Sequence, residues 1–244
     1  MPDRPILEQI RKAAPLISVG ILTADLLLLG SELKLMEKAG VKLLHIDVMD
    51  GCFCPMMTVG PPFIKAIKTP LLKDVHLMIE EPLDKLESYV SAGADMITVH
   101  VESCRHIHRV LQKLRGIKNI NDPNRGILRG IALNPGMPLE TITPLIDEVD
   151  MVFILAVNPG WGGQKFIPST QGRLSRIRTM LSKAKKDILI GVDGGITRDN
   201  IADVARMDVD IIVTGSAVFD GKTPQENAKF MISAVNDAAG KNDE

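Results

Sequence analysis

Eight short apolar runs, evenly spread along the chain and separated by segments of helical spacing, limit the possible folds more than any other feature. They are "LISVGIL" (16–22), "KLLHIDV" (42–48), "DVHLMI" (74–79), "MITVHV" (96–101), "GILRGIAL" (126–133), "MVFILAV" (151–157), "ILIGVD" (188–193) and "VDIIVTG" (209–215). Most are rich in Val and Ile and apolar on both faces, as strands of a fully covered parallel sheet are. The segments between them, such as "PLDKLESYVSAG" (82–93), "PLETITPLIDEV" (138–149) and "STQGRLSRIRTMLSKA" (169–184), carry helix spacing, and several end in Gly, for example Gly40, Gly93 and Gly116. Eight strands, each followed by a helix, predict an α/β fold of the (β/α)8 TIM-barrel type. A doubly wound open sheet is the alternative, but no G-x-G-x-x-G follows the first run. One such barrel takes roughly 200–250 residues. The 244-residue chain therefore reads as a single barrel domain over 16–244, with 1–15 as an amphipathic N-terminal extension packed beneath it.

Charge and composition remove several function classes. A formal net charge of -1 with no basic stripe argues against nucleic acid. No apolar run reaches the ~20 residues that span a bilayer, so no membrane partner is expected. The start "MPDRPILEQIRKAAP" lacks the long apolar core of a secretion signal. Cys52, Cys54 and Cys104 are an odd count and read as reduced thiols of a cytoplasmic protein. A C-x-C pair without a second pair is weak evidence for a metal, and small residues lining a loop explain it as well.

The polar anomalies fall where a barrel places its chemistry, at the C-terminal strand ends. His45 and Asp47 interrupt "LLHIDVMDG"; alternation puts both on one face and Leu44, Ile46 and Val48 on the other. His76 lies late in the third run and Asp193 ends the seventh; Asn158 and Ser216 follow the sixth and eighth. Two imidazoles and two carboxylates suit a borderline divalent ion such as Zn, Mn, Fe or Co. Hydrogen-bonded core histidines are the plainer reading of each alone, but four such groups at strand ends favour a site. His100 reads as an interior residue of the fourth strand near that site, and His106 and His108 as helix or loop surface.

Glycine-rich turns form a second constellation. "NPGWGGQ" (158–164), "DGGIT" (193–197) and "TGSAVF" (214–219) follow three consecutive strands. Backbone N–H groups left open by Gly form an anion site without a cation, and phosphate binding after the last strands recurs in this barrel.

The blocks "LLHIDVMDG", "TVGPP", "DVHLMIEEP", "AGADMITVHVE", "ALNPGMPLE", "VNPGWGGQKFIPST", "VDGGI" and "GSAVF" resemble the ribulose-phosphate 3-epimerase family, in order and at family-like spacing, from about residue 16 to 235. The resemblance implies one divalent metal held by His45, Asp47, His76 and Asp193, with Asp47 and Asp193 also the catalytic acid and base. The implied reaction inverts C3 of a phosphorylated ketose through an enediolate, with no organic cofactor. His76 is implied as a substrate contact as well. Phosphate contacts carry over to Gly160, Trp161, Gly162, Gly163, Gly194, Gly195, Gly215 and Ser216. Met49 and Met78 match methionines that pack against the intermediate in the family. An assembly of identical subunits is a further expectation from the resemblance.

Departures cluster around the sugar. The family's first strand commonly reads Pro-Ser-Ile-Leu-Ser-Ala-Asp; "VGILTAD" (19–25) puts Gly20 at the substrate-binding serine, and Ser18, on the same face but nearer the strand's start, is an uncertain substitute. Leu155 replaces a third methionine, and "MDGCFCPM" (49–56) puts Cys52 and Met56 where the family has His and Asn. Intact metal ligands with an altered sugar site suggest retained chemistry on ribulose 5-phosphate or a related ketose such as allulose 6-phosphate. Two other readings compete: a decarboxylase of 3-keto sugar phosphates, whose Asp-x-Lys-x-x-Asp motif "HIDVMD" lacks, and a non-catalytic sugar-phosphate sensor.

Overall fold

The computed structural model describes residues 5–241. Its strands are β1 (Leu16–Gly20), β2 (Leu43–Met49), β3 (Leu72–Met78), β4 (Met96–His100), β5 (Leu128–Leu133), β6 (Met151–Leu155), β7 (Leu189–Asp193) and β8 (Ile211–Thr214). Each pairs in parallel with its chain neighbour, and β1 also pairs with β8, so the sheet closes into a (β/α)8 TIM barrel. The helices are α1 (Pro5–Ala13), α2 (Leu29–Ala39), α3 (Pro61–Ala66), α4 (Leu86–Ser91), α5 (Ile107–Gly116), α6 (Thr170–Lys183), α7 (Ile201–Ala205) and α8 (Pro224–Ala238).

The segment 138–149 departs from its helical reading: between β5 and β6 it forms a 3₁₀ run, Leu139–Leu145, with Pro144 inside. Proline supplies no N–H for an α-helical bond, and the Thr141 hydroxyl donates to the Pro138 carbonyl at 2.7 Å, which favours the tighter turn.

Strand alternation divides the core in two. Leu44, Ile46, Val48, Val75 and Leu77 face outward against the helices. Leu43, Met96, Leu128, Met151, Phe153, Leu155, Leu189 and Ile211 fill the barrel interior, and Ile6 and Ile10 of α1 join that cluster. Space for the Phe153 ring comes from Gly191, where a Cβ would lie 2.3 Å from the ring. One end of the interior is thus packed with hydrocarbon, and the polar inward residues lie toward the strand C-termini.

Candidate active site

Inward-facing residues of β2 run Leu43, His45, Asp47, Met49, and those of β3 run Leu72, Asp74, His76, Met78. Register places Asp47 beside His76 and His45 beside Asp74. Asp193, the last residue of β7, completes the group. One ligand atom from each of His45, Asp47, His76 and Asp193 lies within 4.8 Å of all the others. Asp47 Oδ1 is 3.2 Å from His45 Nε2 and 3.1 Å from His76 Nδ1. Asp193 Oδ2 is 3.8 Å from the first nitrogen and 3.6 Å from the second.

The electrostatics of this group favour a cation. Burial alone would push both histidines down; instead Asp74 and Asp47 hold His45 well above its ordinary value, and Asp193 and Asp47 raise His76. Burial would likewise raise Asp47, but the two imidazoles hold its carboxyl far below the usual range. The carboxylates thus draw positive charge to the centre, and the nitrogen and oxygen donors fit a borderline divalent ion.

Two further residues partner this group: Asp74, which is not among the expected site residues, and His100, which is expected as an interior residue of the fourth strand near the site. Asp74, fully buried, accepts from His45 Nδ1 at 2.7 Å, leaving Nε2 to face the other ligand atoms. Metal-binding imidazoles commonly carry such a carboxylate on their outer nitrogen. Ser18 donates to the same Asp74 oxygen at 3.3 Å and is fully buried, so it supports this carboxylate and does not replace the sugar-facing serine. His100, buried at the end of β4, approaches His76 Nε2 to 2.8 Å, and burial pushes it down to about 4. The inward alternation of Asp74 with His76 is the one clue the sequence holds to the first of these.

Above the carboxylates opens a cavity of about 760 Å³, within the size range of small-molecule sites. Asp47 and Asp193 reach its wall, whereas His45 and His76, each 1% exposed, lie behind them. Met49, Met78, Leu155 and Gly20 line it. Gly160, Trp161, Gly162, Gly163, Gly194, Gly195, Gly215 and Ser216 line it too, so the structure gathers the two constellations into one space.

Side chains pin the glycine loops. Gln164 donates to the Trp161 carbonyl at 2.8 Å and accepts from the Asn158 N–H at 3.1 Å. Asn200 donates to the Gly195 carbonyl at 2.9 Å and accepts from Thr197 N–H at 2.8 Å. Gly195 has φ +70, and a Cβ there would sit 2.4 Å from the Phe166 nitrogen, so only glycine fits. At Gly162 and Gly163 nothing among the described residues lies within 4 Å of a Cβ position, leaving their backbone open.

Comparison with known proteins decides the family: residues 16–219 match the Ribulose-phosphate 3 epimerase family. The chain belongs to that family. It is 40% identical over 222 residues to the ribulose-phosphate 3-epimerase of Bacillus subtilis, covering 90% of this chain and 97% of that one. It is 38% identical to the chloroplastic ribulose-5-phosphate-3-epimerase of Arabidopsis thaliana, covering 95% and 81%. As a member of the family it is an isomerase of the ketose-phosphate epimerase type. Among solved structures, 3-hexulose-6-phosphate synthase from Salmonella typhimurium superposes with a TM-score of 0.66 at 18% identity, covering 91% of this chain and 99% of that one. KGPDC from Streptococcus mutans gives 0.66 at 14%, covering 92% and 99%. These two likenesses concern the fold alone. Among the described residues, no helix is long and apolar enough to cross a membrane.

Proposed function

We propose that this epimerase inverts C3 of a ketose phosphate, ribulose 5-phosphate or a close relative such as allulose 6-phosphate, with Asp47 and Asp193 as the paired acid and base. The observation that carries this reading is the placement of both carboxylates on the wall of one cavity that the glycine loops also line. Inversion without redox needs a proton removed on one face of the carbon and returned on the other. Asp47 takes the C3 proton, leaving a planar enediolate, and Asp193 delivers a proton to the opposite face; in the reverse direction the roles exchange. They come from β2 and β7, which are not neighbours in the barrel.

His45, Asp47, His76 and Asp193 would hold one divalent ion of the Zn, Mn, Fe or Co type. When bound, such an ion supplies electrostatic stabilisation to oxygens that gain negative charge as the proton leaves. His45 and His76 also fix the orientation of Asp47, and the role of His76 as a substrate contact, part of this reading by family resemblance, would be exercised from behind the two carboxylates. The phosphate is received by backbone N–H groups of Gly160, Trp161, Gly162 and Gly163, with Gly194, Gly195, Gly215 and Ser216 across the same cavity. Met49, Met78 and Leu155 exclude water from the enediolate with apolar surface.

An assembly of identical chains is part of this reading, supported by Leu26, Leu27 and Leu28, exposed in succession after β1. The cytoplasmic setting is supported by three free cysteines. The test is turnover of ketose phosphates by chelated and by metal-replenished protein. Loss of epimerisation on chelation and recovery with a divalent transition ion are expected. Full activity in protein shown by elemental analysis to be metal-free would refute the metal assignment, and no turnover of any ketose phosphate would refute the epimerase.

A further inference from the structure

His100 takes no part in the proton transfers above, yet its contact with His76 is tightly defined. The two Nε2 atoms are 2.8 Å apart, the ring planes differ by 15°, and the centroids are 5.0 Å apart. Near-parallel rings with that spacing and that N···N distance meet edge to edge, so one hydrogen bond lies in both ring planes. Two neutral imidazoles sharing one such bond must divide the roles, one donating and one accepting.

The other side of each ring decides which. His76 turns Nδ1 toward Asp47 Oδ1 and Asp193 Oδ2, where the ligand atoms converge. A neutral imidazole that offers its Nδ1 lone pair to an ion carries its proton on Nε2. His76 then donates and His100 Nε2 accepts, which puts the His100 proton on Nδ1. Among the described residues that nitrogen has no hydrogen-bond partner, and it faces Glu102 Oε1 at 3.8 Å. The carboxylate favours an N–H there and disfavours a lone pair. The reverse arrangement would place a lone pair beside Glu102 and a proton on His76 Nδ1, in the position an ion needs. Two contacts hold the relay in place: Phe53 packs on the His100 ring at 4.7 Å, and Asn134 N–H donates to Glu102 Oε1 at 3.3 Å.

We propose that His100, oriented by Glu102, is a positioning residue that locks His76 in the tautomer able to ligate the divalent ion through Nδ1. The inference rests on the metal reading above. It gives His76 what Asp74 gives His45, a defined partner on the nitrogen turned away from the ion.

The test compares Zn²⁺ affinity, by chelator competition on the full chain, in wild type, His100→Phe, His100→Gln and His76→Ala. His100→Phe keeps a planar ring without an acceptor and should weaken Zn²⁺ roughly 10- to 100-fold, the usual effect of losing such a partner. His100→Gln, which restores an acceptor oxygen, should recover most of that loss. Ring ¹⁵N shifts of the zinc-loaded wild type should place the proton of His100 on Nδ1 and that of His76 on Nε2. Wild-type affinity in His100→Phe, equal losses in the Phe and Gln variants, or a proton on His100 Nε2 would each overturn the inference. Wild-type affinity in His76→Ala would remove the metal reading itself and this inference with it. Should His100→Phe fail to fold by circular dichroism, the wild-type ring shifts decide alone.

Discussion

Gly20→Ser tests whether this position bears on the preference among ketose phosphates. Gly20 ends β1 and lines the cavity beside Gly215. Its φ of -73 and ψ of 118 are ordinary extended values, and a Cβ built there meets Gly215 Cα at 3.7 Å and Thr214 O at 3.9 Å, normal contact distances. A serine therefore fits without moving the backbone. Removing a glycine's freedom from the unfolded chain stabilises by ~0.4–1 kcal/mol where the conformation is compatible. In a chain of this size that raises Tm by roughly 1–4 °C. The added hydroxyl is worth about one neutral hydrogen bond, ~0.5–1.5 kcal/mol, or roughly two- to tenfold in kcat/KM. The assay is the ratio of kcat/KM for ribulose 5-phosphate over the best alternative ketose phosphate. It should shift toward ribulose 5-phosphate by that factor, and further with Leu155→Met, a volume-conserving change at a buried cavity-lining position costing under ~1.5 kcal/mol. An unchanged ratio in the folded double variant would refute the assignment of preference to these positions and direct attention to Cys52, Cys54 and Met56. A fall in Tm would refute the argument from space.

Asp47→Asn and Asp193→Asn should each lower epimerisation by at least ~10²–10⁴-fold, measured with metal occupancy alongside; near-normal turnover in either metallated variant would contradict the two-base scheme. Arg129, buried against Asp150 at 3.0 Å and Glu148 at 3.1 Å, tests the fold without touching the site. Arg129→Ala breaks both buried ion pairs while Glu148 keeps Arg115 at 3.0 Å and Asp150 keeps the backbone N–H of residue 129 at 2.9 Å, so it should cost at most ~3–5 kcal/mol, read as a drop in Tm of at most roughly 6–20 °C. Asp50 ties down the loop after β2. Burial would raise its pKa, but N–H groups of Cys52, Phe53 and Glu80 donate to it and hold it below the ordinary value. Its contribution to stability is therefore present above the unfolded carboxyl's pKa of ~3.9 and lost as pH falls through the folded one. Asp50→Asn should flatten the acid limb of the stability curve, and an identical limb would exclude this carboxylate as a source.

The barrel was legible because its strands are short Val- and Ile-rich runs and its helices carry an independent period. His45 and Asp47 stood out for the same reason: strand alternation makes two polar side chains on one face of an apolar run conspicuous. Asp74 was harder to see, since "LLKDVHLMI" places it next to Lys73 where the run reads as the end of a loop, whereas β3 begins at Leu72. The partnership of His100 with His76 depends on the registers between β3 and β4, which no single strand's pattern encodes. Ser18 shows the limit from the other side: facing the same way as Gly20 was readable, but lying one layer deeper, on Asp74, was not. The 3₁₀ run at 139–145 has helix-like apolar spacing, and only the threonines and Pro144 hint at its tighter turn.

The proposed chemistry is an exchange of the proton on C3 of a ketose phosphate by Asp47 and Asp193. It is tested most directly by incubating metal-replete protein with four- to six-carbon ketose phosphates in deuterated water and locating the label by NMR. Solvent deuterium is expected at C3 of both epimers of the preferred sugar, and should be lost from one or both in the Asp47→Asn and Asp193→Asn variants. Epimers formed without deuterium at C3, or with it at another carbon, would contradict it.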